Sequence, residues 1–259
     1  MILAVDIGNT NIVVSGFSGE KIIFTERLST EHLSTDLEYT VLIRTVLDLN
    51  HVQYADFDGC IISSVVPPVT QTVRESVLRT LGKEPVIVGA GVKTGLKIQV
   101  DNPAALGSDR VADAVAAAAN YPLPVITVDM GTATTVSVVD ETGTFRGGMI
   151  IPGVRVALDS LSSRASQLPV ISLTPPKKVI GTNTVDCMKS GILYSTAAAV
   201  DGVTARMEEE LGKSCTVVAT GGNAPAIIPF CKRKIIHDPS LLLKGLMLIY
   251  NKNHTKRRE

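Results

Sequence analysis

Two acidic turns with the same spacing contain the residues best suited to chemistry. Asp6 lies in LAVDIGNTNIVVSGF at residues 3–17, and Asp129 lies in ITVDMGTATTVSVVD at residues 126–140. In both segments a strand-like run leads into aspartate, one further residue, glycine and small polar residues. Glycine lets the backbone approach a ligand, and clustered N–H, hydroxyl and amide donors suit phosphate oxygens. The turns therefore predict a phosphate-binding site, with a tight hairpin as the alternative for either turn taken alone.

The two aspartates add a requirement for cations. A carboxylate beside a polyphosphate is repulsive unless a positive charge lies between them. Mg²⁺ binds through one or two carboxylates together with substrate phosphates, and it keeps several of its waters. We therefore expect Mg²⁺ and a nucleotide at Asp6 and Asp129.

A third segment, DNPAALGSDRVADAVAAA, places Asp109 and Arg110 at the start of a predicted helix. We expect Ser108 to be the N-cap of this helix. The helix dipole favours an aspartate in any first turn, and it would keep Asp109 ionised and able to accept a proton during phosphoryl transfer. Arg110 lies at the unfavourable end of the dipole, which indicates an anionic partner for its guanidinium.

The elements around these residues indicate a duplicated domain. Asp6 and Asp129 are 123 positions apart (129 − 6), which is close to half of the 259 residues. Each turn continues into further strands, and helices then alternate with strands. We predict an α/β fold with lobes at 1–120 and 121–259 that face a central cleft.

Several smaller motifs favour structural interpretations. LGKS at 211–214 lacks the first glycine of a P-loop and predicts a helix stop, while GAGVKTG at 89–95 has the wrong spacing for a dinucleotide turn and predicts a loop. TGGN at 220–223 predicts a strand-to-helix turn, with close approach of an adenosine as the alternative. Thr184 is expected to cap the long helix that follows it, or else to reach a ligand.

Composition excludes several classes of protein. Lys plus Arg and Asp plus Glu both number 25, so the overall charge gives no indication of nucleic-acid binding, although the tail KNHTKRRE is basic. No apolar run is long enough to span a bilayer, and the N-terminus is typical of a strand rather than of an export signal. Four scattered cysteines without a CxxC pair predict reduced thiols, mostly in the core, in a cytoplasmic protein.

Seven motifs occur in an order and spacing that resemble the type III pantothenate kinases, members of the acetate and sugar kinase, Hsp70 and actin superfamily. These motifs are DIGNTN, SSVVPP, DNPAALGSDR, DMGTATT, GGMIIPG, IGTNT and TGG. The resemblance implies a duplicated actin-like, ribonuclease H-like kinase fold. It implies ATP-dependent phosphorylation of pantothenate to 4'-phosphopantothenate, the first step of coenzyme A biosynthesis. It also implies a homodimer in which the partner subunit completes the pantothenate site.

The resemblance implies roles for individual residues. Asp109 would be the catalytic base, and Asp129 would bind a monovalent cation, K⁺ or NH₄⁺. The implied ATP-binding residues are Asp6, Ile7, Gly8, Asn9, Thr10, Asn11, Ile12, Val13 and Thr132. The implied substrate-binding residues are Val100, Gly107, Ser108, Asp109, Arg110 and Thr184.

Val100 departs from the family, which usually has a tyrosine at this position. The missing phenol removes a hydrogen bond and aromatic surface, together worth roughly 1–2 kcal/mol. A kinase that acts on another small hydroxy acid is therefore an alternative function. A second alternative is a nucleotide-binding regulator of the same fold without turnover, which the intact Asp6, Asp109 and Asp129 disfavour.

Overall fold

The computed structural model describes residues 1–254, which contain the following elements in chain order. They are β1 (Ile2–Ile7), β2 (Asn11–Ser18), β3 (Lys21–Ser29), α1 (Asp36–Leu49), β4 (Gly59–Ser64), α2 (Pro67–Leu81), β5 (Val86–Ile87), β6 (Lys97–Ile98), α3 (Ser108–Asn120), β7 (Val125–Met130), β8 (Ala133–Val139), β9 (Thr144–Pro152), α4 (Val154–Arg164), α5 (Thr184–Leu211), β10 (Thr216–Thr220), α6 (Ala224–Ile227), β11 (Ile236–His237) and α7 (Leu241–His254). Short 3₁₀ turns follow residues 53, 102 and 227. The basic tail noted in the sequence lies, from residue 255, outside the described residues.

The chain divides into two compact units. The first comprises Met1–Gly95, Asn102–Ala116 and the chain from Leu241 onward, and the second comprises Leu96–Asp101 and Ala117–Ser240. The lobe boundary predicted between residues 120 and 121 stays a prediction. These units differ from it in grouping α7 with the first unit, because α7 packs on β1 and β4.

The sheets of the two units repeat one topology. The first sheet has the order β3-β2-β1-β4-β5, and the second has β11-β10-β7-β8-β9-β6. In the first unit, β1 pairs antiparallel with β2 and parallel with β4. In the second unit, β7 pairs in the same way with β8 and β10. Apart from the added edge strand β6, the second sheet is the first one repeated, and the predicted duplication is confirmed.

Each sheet buries its central strands under helices. In the first unit, α1 and α2 contribute Tyr39, Ile43 and Val73 to a core that contains the apolar side chains of β1. In the second unit, α4 and α5 contribute Leu158 and Ile192 to a separate core around β7. β1 and β7 are apolar almost throughout because both faces of a central strand are covered.

Helix ends follow capping rules, with one correction. Thr35 and Glu38 form a reciprocal capping box at the start of α1. Gly212 takes a left-handed conformation at the end of α5, which confirms LGKS as a helix stop. The prediction that Thr184 caps α5 is wrong, because Asn183 is the N-cap and its side chain accepts the Asp186 N–H at 2.9 Å.

The cysteines and the hydropathy give two further findings. All four cysteines are free, but only Cys60 is buried, while Cys187 is exposed and Cys215 and Cys231 are half-buried. The prediction that most of them lie in the core is therefore wrong. Among residues 1–254, no helix has both the length and the apolar character needed to cross a membrane.

Candidate active site

The first acidic turn joins β1 to β2. Asp6 is the penultimate residue of β1, and the Gly8 N–H donates to the Asn11 carbonyl at 3.0 Å. The polar residues Asn9, Thr10 and Asn11 are exposed, whereas the side chains of Ile7 and Ile12 are buried in the core. Ile7 and Ile12 can therefore offer a ligand only backbone groups.

The end of β3 braces this turn. The Thr30 N–H donates to the Thr10 carbonyl at 3.1 Å, and the Thr30 hydroxyl donates to the Gly8 carbonyl at 2.7 Å. These bonds occupy carbonyl oxygens and leave the outer surface of the turn lined by donor-bearing polar residues. Such a surface suits phosphate oxygens.

The second acidic turn joins β7 to β8 with similar backbone bonds, in a loop that is one residue shorter. The Gly131 N–H donates to the Ala133 carbonyl at 3.0 Å, and the Thr132 carbonyl accepts the Gly153 N–H at 3.1 Å. Gly153 follows β9 just as Thr30 follows β3, so corresponding elements brace both turns. Thr132 is exposed, but Thr134, the next threonine of DMGTATT, is only 1% exposed.

The TGGN segment supports the second turn, and its predicted strand-to-helix geometry is confirmed. A Cβ on Gly221, whose φ is +90°, would overlap the Asp129 carboxylate and lie 2.6 Å from the Met130 nitrogen. The Asn223 N–H donates to the Met130 carbonyl, and the Asn223 side-chain amide donates to the Gly131 carbonyl, both at 3.1 Å. Close packing therefore sets the place of the Asp129 carboxylate.

Asn223 also orients the positively charged side chain of Arg155 on α4. The exposed Arg155 donates from Nε to the Asn223 side-chain oxygen at 3.1 Å. Gly153, the N-cap of α4, lies so close to the second turn that a Cβ there would be 2.5 Å from the Gly131 carbonyl oxygen. The start of α4 is thus packed directly against the second turn.

The start of α3 differs in one respect from its prediction. The Val111 N–H donates to the Gly107 carbonyl at 3.2 Å, so the helix begins at Ser108, and Gly107 occupies the N-cap position. The prediction of Ser108 as N-cap is wrong, because its hydroxyl bonds with Ser63 and Ser64 instead of with the backbone of α3. Asp109 and Arg110 lie in the first helical turn, as predicted.

Asp109 is half-buried, and burial changes its titration. Desolvation raises the pKa of Asp109, while the backbone N–H and the charge of Arg110 act in the opposite direction. The Arg110 N–H donates to Asp109 Oδ1 at 2.8 Å. Burial therefore opposes the effect of the helix dipole, which was expected to keep this carboxylate ionised. A raised pKa makes a carboxylate a stronger proton acceptor at neutral pH.

In the first unit, the first turn and the start of α3 both lie at the carboxyl ends of the parallel strands β1 and β4. Ser64 is the last residue of β4 and pairs with Ile7, the last residue of β1. Ser108 bonds to Ser64, so the helix that carries Asp109 starts beside the strand next to β1. The carboxyl ends of parallel strands are the usual location of ligand sites in α/β folds.

The remaining predicted substrate residues lie in the second unit. Val100 is half-buried just after β6, within Leu96–Asp101. Thr184 is the exposed first residue of α5 and lines a pocket of about 450 Å³ with Leu161, Leu168 and Met188.

The residues present fit the chemistry of a nucleotide with cations. The turns offer backbone donors and hydroxyls, and Asp6 and Asp129 offer the hard oxygen ligands that Mg²⁺ and K⁺ prefer. Among residues 1–254, no cluster of three or more His, Cys, Asp or Glu side chains could hold a metal by itself. A cation here would take one carboxylate and complete its coordination with water and ligand oxygens.

Sequence reasoning missed two supporting groups. Ser63 and Ser64 appeared in SSVVPP without a role, and Asn223 appeared only as the end of a turn. For Ser63 and Ser64, the missed signal was a pair of polar residues directly after the apolar run CII, at the carboxyl end of β4. Such residues are hydrogen-bonded in folded proteins, so each implies a partner in another element.

Comparisons with known proteins identify the family of this chain. The family model of the type III pantothenate kinases matches residues 2–206. The type III pantothenate kinase of Halalkalibacterium halodurans is 43% identical over 253 residues, covering 98% of this chain and all of the relative. That of Moorella thermoacetica is 40% identical, also over 253 residues, with the same coverage of both chains.

Solved structures agree on the fold. The ROK hexokinase of Thermus thermophilus has a TM-score of 0.52 at 12% identity, covering 97% of this chain and 99% of the hexokinase. Component A of (R)-2-hydroxyglutaryl-CoA dehydratase from Acidaminococcus fermentans has a TM-score of 0.57 at 16% identity, with 96% of each chain covered. The predicted duplicated α/β fold of the actin-like class is confirmed. By its sequence, this chain belongs to the type III pantothenate kinase family.

Proposed function

We propose that this protein transfers the γ-phosphoryl group of ATP to a hydroxyl of pantothenate, which gives 4'-phosphopantothenate in the first step of coenzyme A biosynthesis. The observation that carries the proposal is the placement of Asp109. This carboxylate lies in the first turn of α3, beside the carboxyl ends of β1 and β4, and its pKa is raised by burial. Membership of the family supports pantothenate as the acceptor.

Asp109 is the proposed general base. A carboxylate with a raised pKa can accept the hydroxyl proton as the oxygen attacks the γ-phosphorus. Phosphoryl transfer has a loose transition state, so positioning of the hydroxyl accounts for a large part of the rate. Arg110, next in the helix, is proposed to neutralise an anionic group of the substrates.

The proposed pantothenate contacts involve the start of α3 and two further positions. Gly107 offers backbone groups close to the Asp109 carboxylate. Ser108 can take part only through its backbone, because protein groups engage its hydroxyl. Val100 and Thr184 complete the proposed set, and Val100 offers an apolar surface without a hydrogen bond.

The proposed nucleotide contacts follow the two turns. Residues 6–13 would bind ATP phosphates through the exposed polar side chains of the first turn and through its backbone. Thr132, exposed in the second turn, would bind phosphate through its hydroxyl. Mg²⁺ would neutralise phosphate charge, and Asp129 would hold the monovalent cation, K⁺ or NH₄⁺, since both ions suit oxygen ligands.

We propose a homodimer in the cytoplasm. The second unit exposes several apolar side chains on β9, on α4 and in the segment before α5. Among them, Ile150 is 65% exposed and Ile180 is 78% exposed. Apolar surface of this kind is typical of an interface. Light scattering after gel filtration is expected to give about twice the chain mass of 27.4 kDa, and a monomer would contradict the proposal.

A coupled assay of ADP release tests the activity. With ATP, Mg²⁺ and K⁺, we expect turnover that depends on pantothenate, and turnover only with another hydroxy acid would redirect the substrate assignment. ADP release that is equal with and without pantothenate would favour a regulator instead. Asp109→Asn is expected to lower kcat by roughly 10²-fold to 10⁴-fold. Asp36→Asn, at a first-turn aspartate of α1, is the matched control and keeps the wild-type kcat.

A further inference from the structure

We propose that Ser108 is a positioning residue that fixes Asp109 by anchoring the start of α3 to Ser63 and Ser64. This gives the SSVVPP segment a role in the reaction, and it separates Ser108 from the residues that bind substrate through their side chains. The inference rests on the proposed function, because Asp109 is the base only if the chain is a kinase.

The Ser108 hydroxyl uses its full hydrogen-bonding capacity within the protein. A serine hydroxyl has one donor hydrogen and two acceptor lone pairs. Ser108 Oγ donates to the Ser64 carbonyl at 3.0 Å and accepts the Ser64 N–H at 2.9 Å. The Ser63 hydroxyl lies 3.0 Å from it and takes the remaining acceptor position. All three capacities are used within the protein, so none is available to a ligand.

Burial gives an independent argument. Ser63 is 0% exposed and Ser108 is 7% exposed. Removal of one partner from such a group leaves a buried donor or acceptor without its bond. A side chain that contacts a substrate needs an accessible face, and Ser108 has little exposed surface.

The anchor itself is held in place. The Ser64 hydroxyl accepts the Val66 N–H at 3.1 Å and lies 2.7 Å from the Thr70 hydroxyl at the start of α2. The Val65 N–H donates to the Ile7 carbonyl at 3.1 Å, which joins this segment to the end of β1. The Ser63–Ser64 pair is therefore fixed to the strand that carries Asp6, and it offers α3 a rigid attachment point.

Attachment at Ser108 restricts its neighbour, Asp109. The Asp109 carboxylate lies over Gly107 so closely that a Cβ on Gly107 would overlap Oδ1. The Arg110 N–H holds the same oxygen at 2.8 Å. If the Ser108 hydroxyl is removed, the first turn of α3 loses its fixed point, and Asp109 moves together with this turn. Displacement of a catalytic group by about 1 Å can cost up to roughly 10²-fold in rate.

The test compares Ser108→Ala with Ser76→Ala. Ser76 is a buried serine of α2 in the same unit, and its hydroxyl bonds to the Asp36 and Thr72 carbonyls. We expect both variants to lose thermal stability, but only Ser108→Ala to lower kcat, by roughly 10-fold to 100-fold, with an unchanged KM for pantothenate. The acidic limb of its pH–rate profile should also shift, because the surroundings of Asp109 change.

Ser63→Ala provides a second variant that does not alter α3 itself. We expect kcat to fall by roughly 3-fold to 10-fold, and the double variant with Ser108→Ala to be no slower than Ser108→Ala alone, since both act through one contact. A raised KM with wild-type kcat in Ser108→Ala would overturn the inference, because Ser108 would then be a substrate ligand. If Ser108→Ala does not fold, a wild-type kcat and pH profile in Ser63→Ala would overturn it equally.

The failure of the proposed function is distinguishable from the failure of this inference. If the wild-type protein shows no turnover with pantothenate, the proposed function is wrong whatever the variants do. Carbon-13 NMR titration of Asp109 then still tests the positioning. A shift of its pKa in Ser63→Ala but not in Ser76→Ala supports the anchor, and identical titrations in all three proteins exclude it.

Discussion

The substitution Gly221→Ala tests how the place of Asp129 is fixed. Gly221 has a φ of +90°, a conformation that L-residues rarely adopt, and its missing side chain faces the second acidic turn. A Cβ would lie 2.6 Å from the Met130 nitrogen and closer still to the Asp129 carboxylate, whereas ordinary contact begins at 3.4 Å. The backbone at residue 221 must therefore move away from the second turn, which includes Asp129, by about 0.8 Å (3.4 − 2.6) or more.

Two costs add up to the expected loss of stability. The unfavourable backbone conformation costs an alanine about 1–2 kcal/mol, and overpacking of a close contact costs a further 1–3 kcal/mol or so. The sum of roughly 2–5 kcal/mol is a large part of a typical stability of about 5–15 kcal/mol. For a chain of this size it corresponds to a Tm lower by roughly 5–15 °C.

Gly222→Ala is the matched control for stability, in the same turn. A Cβ on Gly222 meets no atom within 4 Å, and its φ is not positive. Thermal unfolding of both variants measures the difference, and the ADP assay at saturating ATP measures kcat, which we expect to fall up to about 10²-fold in Gly221→Ala because Asp129 is displaced. If the two variants melt within 2 °C of each other, the packing argument is refuted.

Three further predictions concern pH, helix packing and an ion pair. Because burial raises the pKa of Asp109, its ionisation destabilises the folded state, so Asp109→Asn should gain stability over the wild type as the pH rises above about 4 and gain none below it. Gly245→Ala should cost about 1–3 kcal/mol, because a Cβ would press against the backbone of α3, whereas Gly202→Ala in α5 should stabilise by about 0.5–1 kcal/mol. Burial acts to raise the pKa of Glu208, but hydrogen bonds from Arg233 and from a backbone N–H outweigh burial and lower this pKa. Arg233→Ala should therefore lower the free energy of unfolding, measured in urea, by about 1 kcal/mol at pH 7. Below the lowered pKa of Glu208 it should have no effect.

The fold was predictable because its local signals agree with its tertiary structure. The strand pattern before Asp6 and before Asp129 is continuous and apolar, which is what a central strand with two covered faces requires. The long helix predicted at Thr184 is present as Thr184–Leu211, and it ends where LGKS predicted, since Gly212 provides its stop. In these elements sequence period, capping and burial all favour one structure.

Long-range hydrogen bonds were not predictable from the sequence. Ser108 follows a glycine at a helix start, which is typical of an N-cap, and only the proximity of β4 gives its hydroxyl a better set of partners. Ser63 precedes it by 45 positions, and no local pattern specifies that separation. The burial of Asp109 could not be predicted for the same reason, because burial depends on the packing of the whole unit, whereas the helix dipole depends only on the helix.

The two acidic turns show how far a repeated motif determines a site. Both use a glycine N–H to close the turn and a threonine carbonyl to accept a bond from the residue that follows the third strand. Their further supports differ, because the Thr30 hydroxyl braces the first turn, whereas Gly221 and Asn223 brace the second. The two copies thus share the bonds that close and brace the turn, whereas the further contacts around each turn differ. Substitution of Thr30 is therefore expected to affect only the first turn, and substitution of Asn223 only the second.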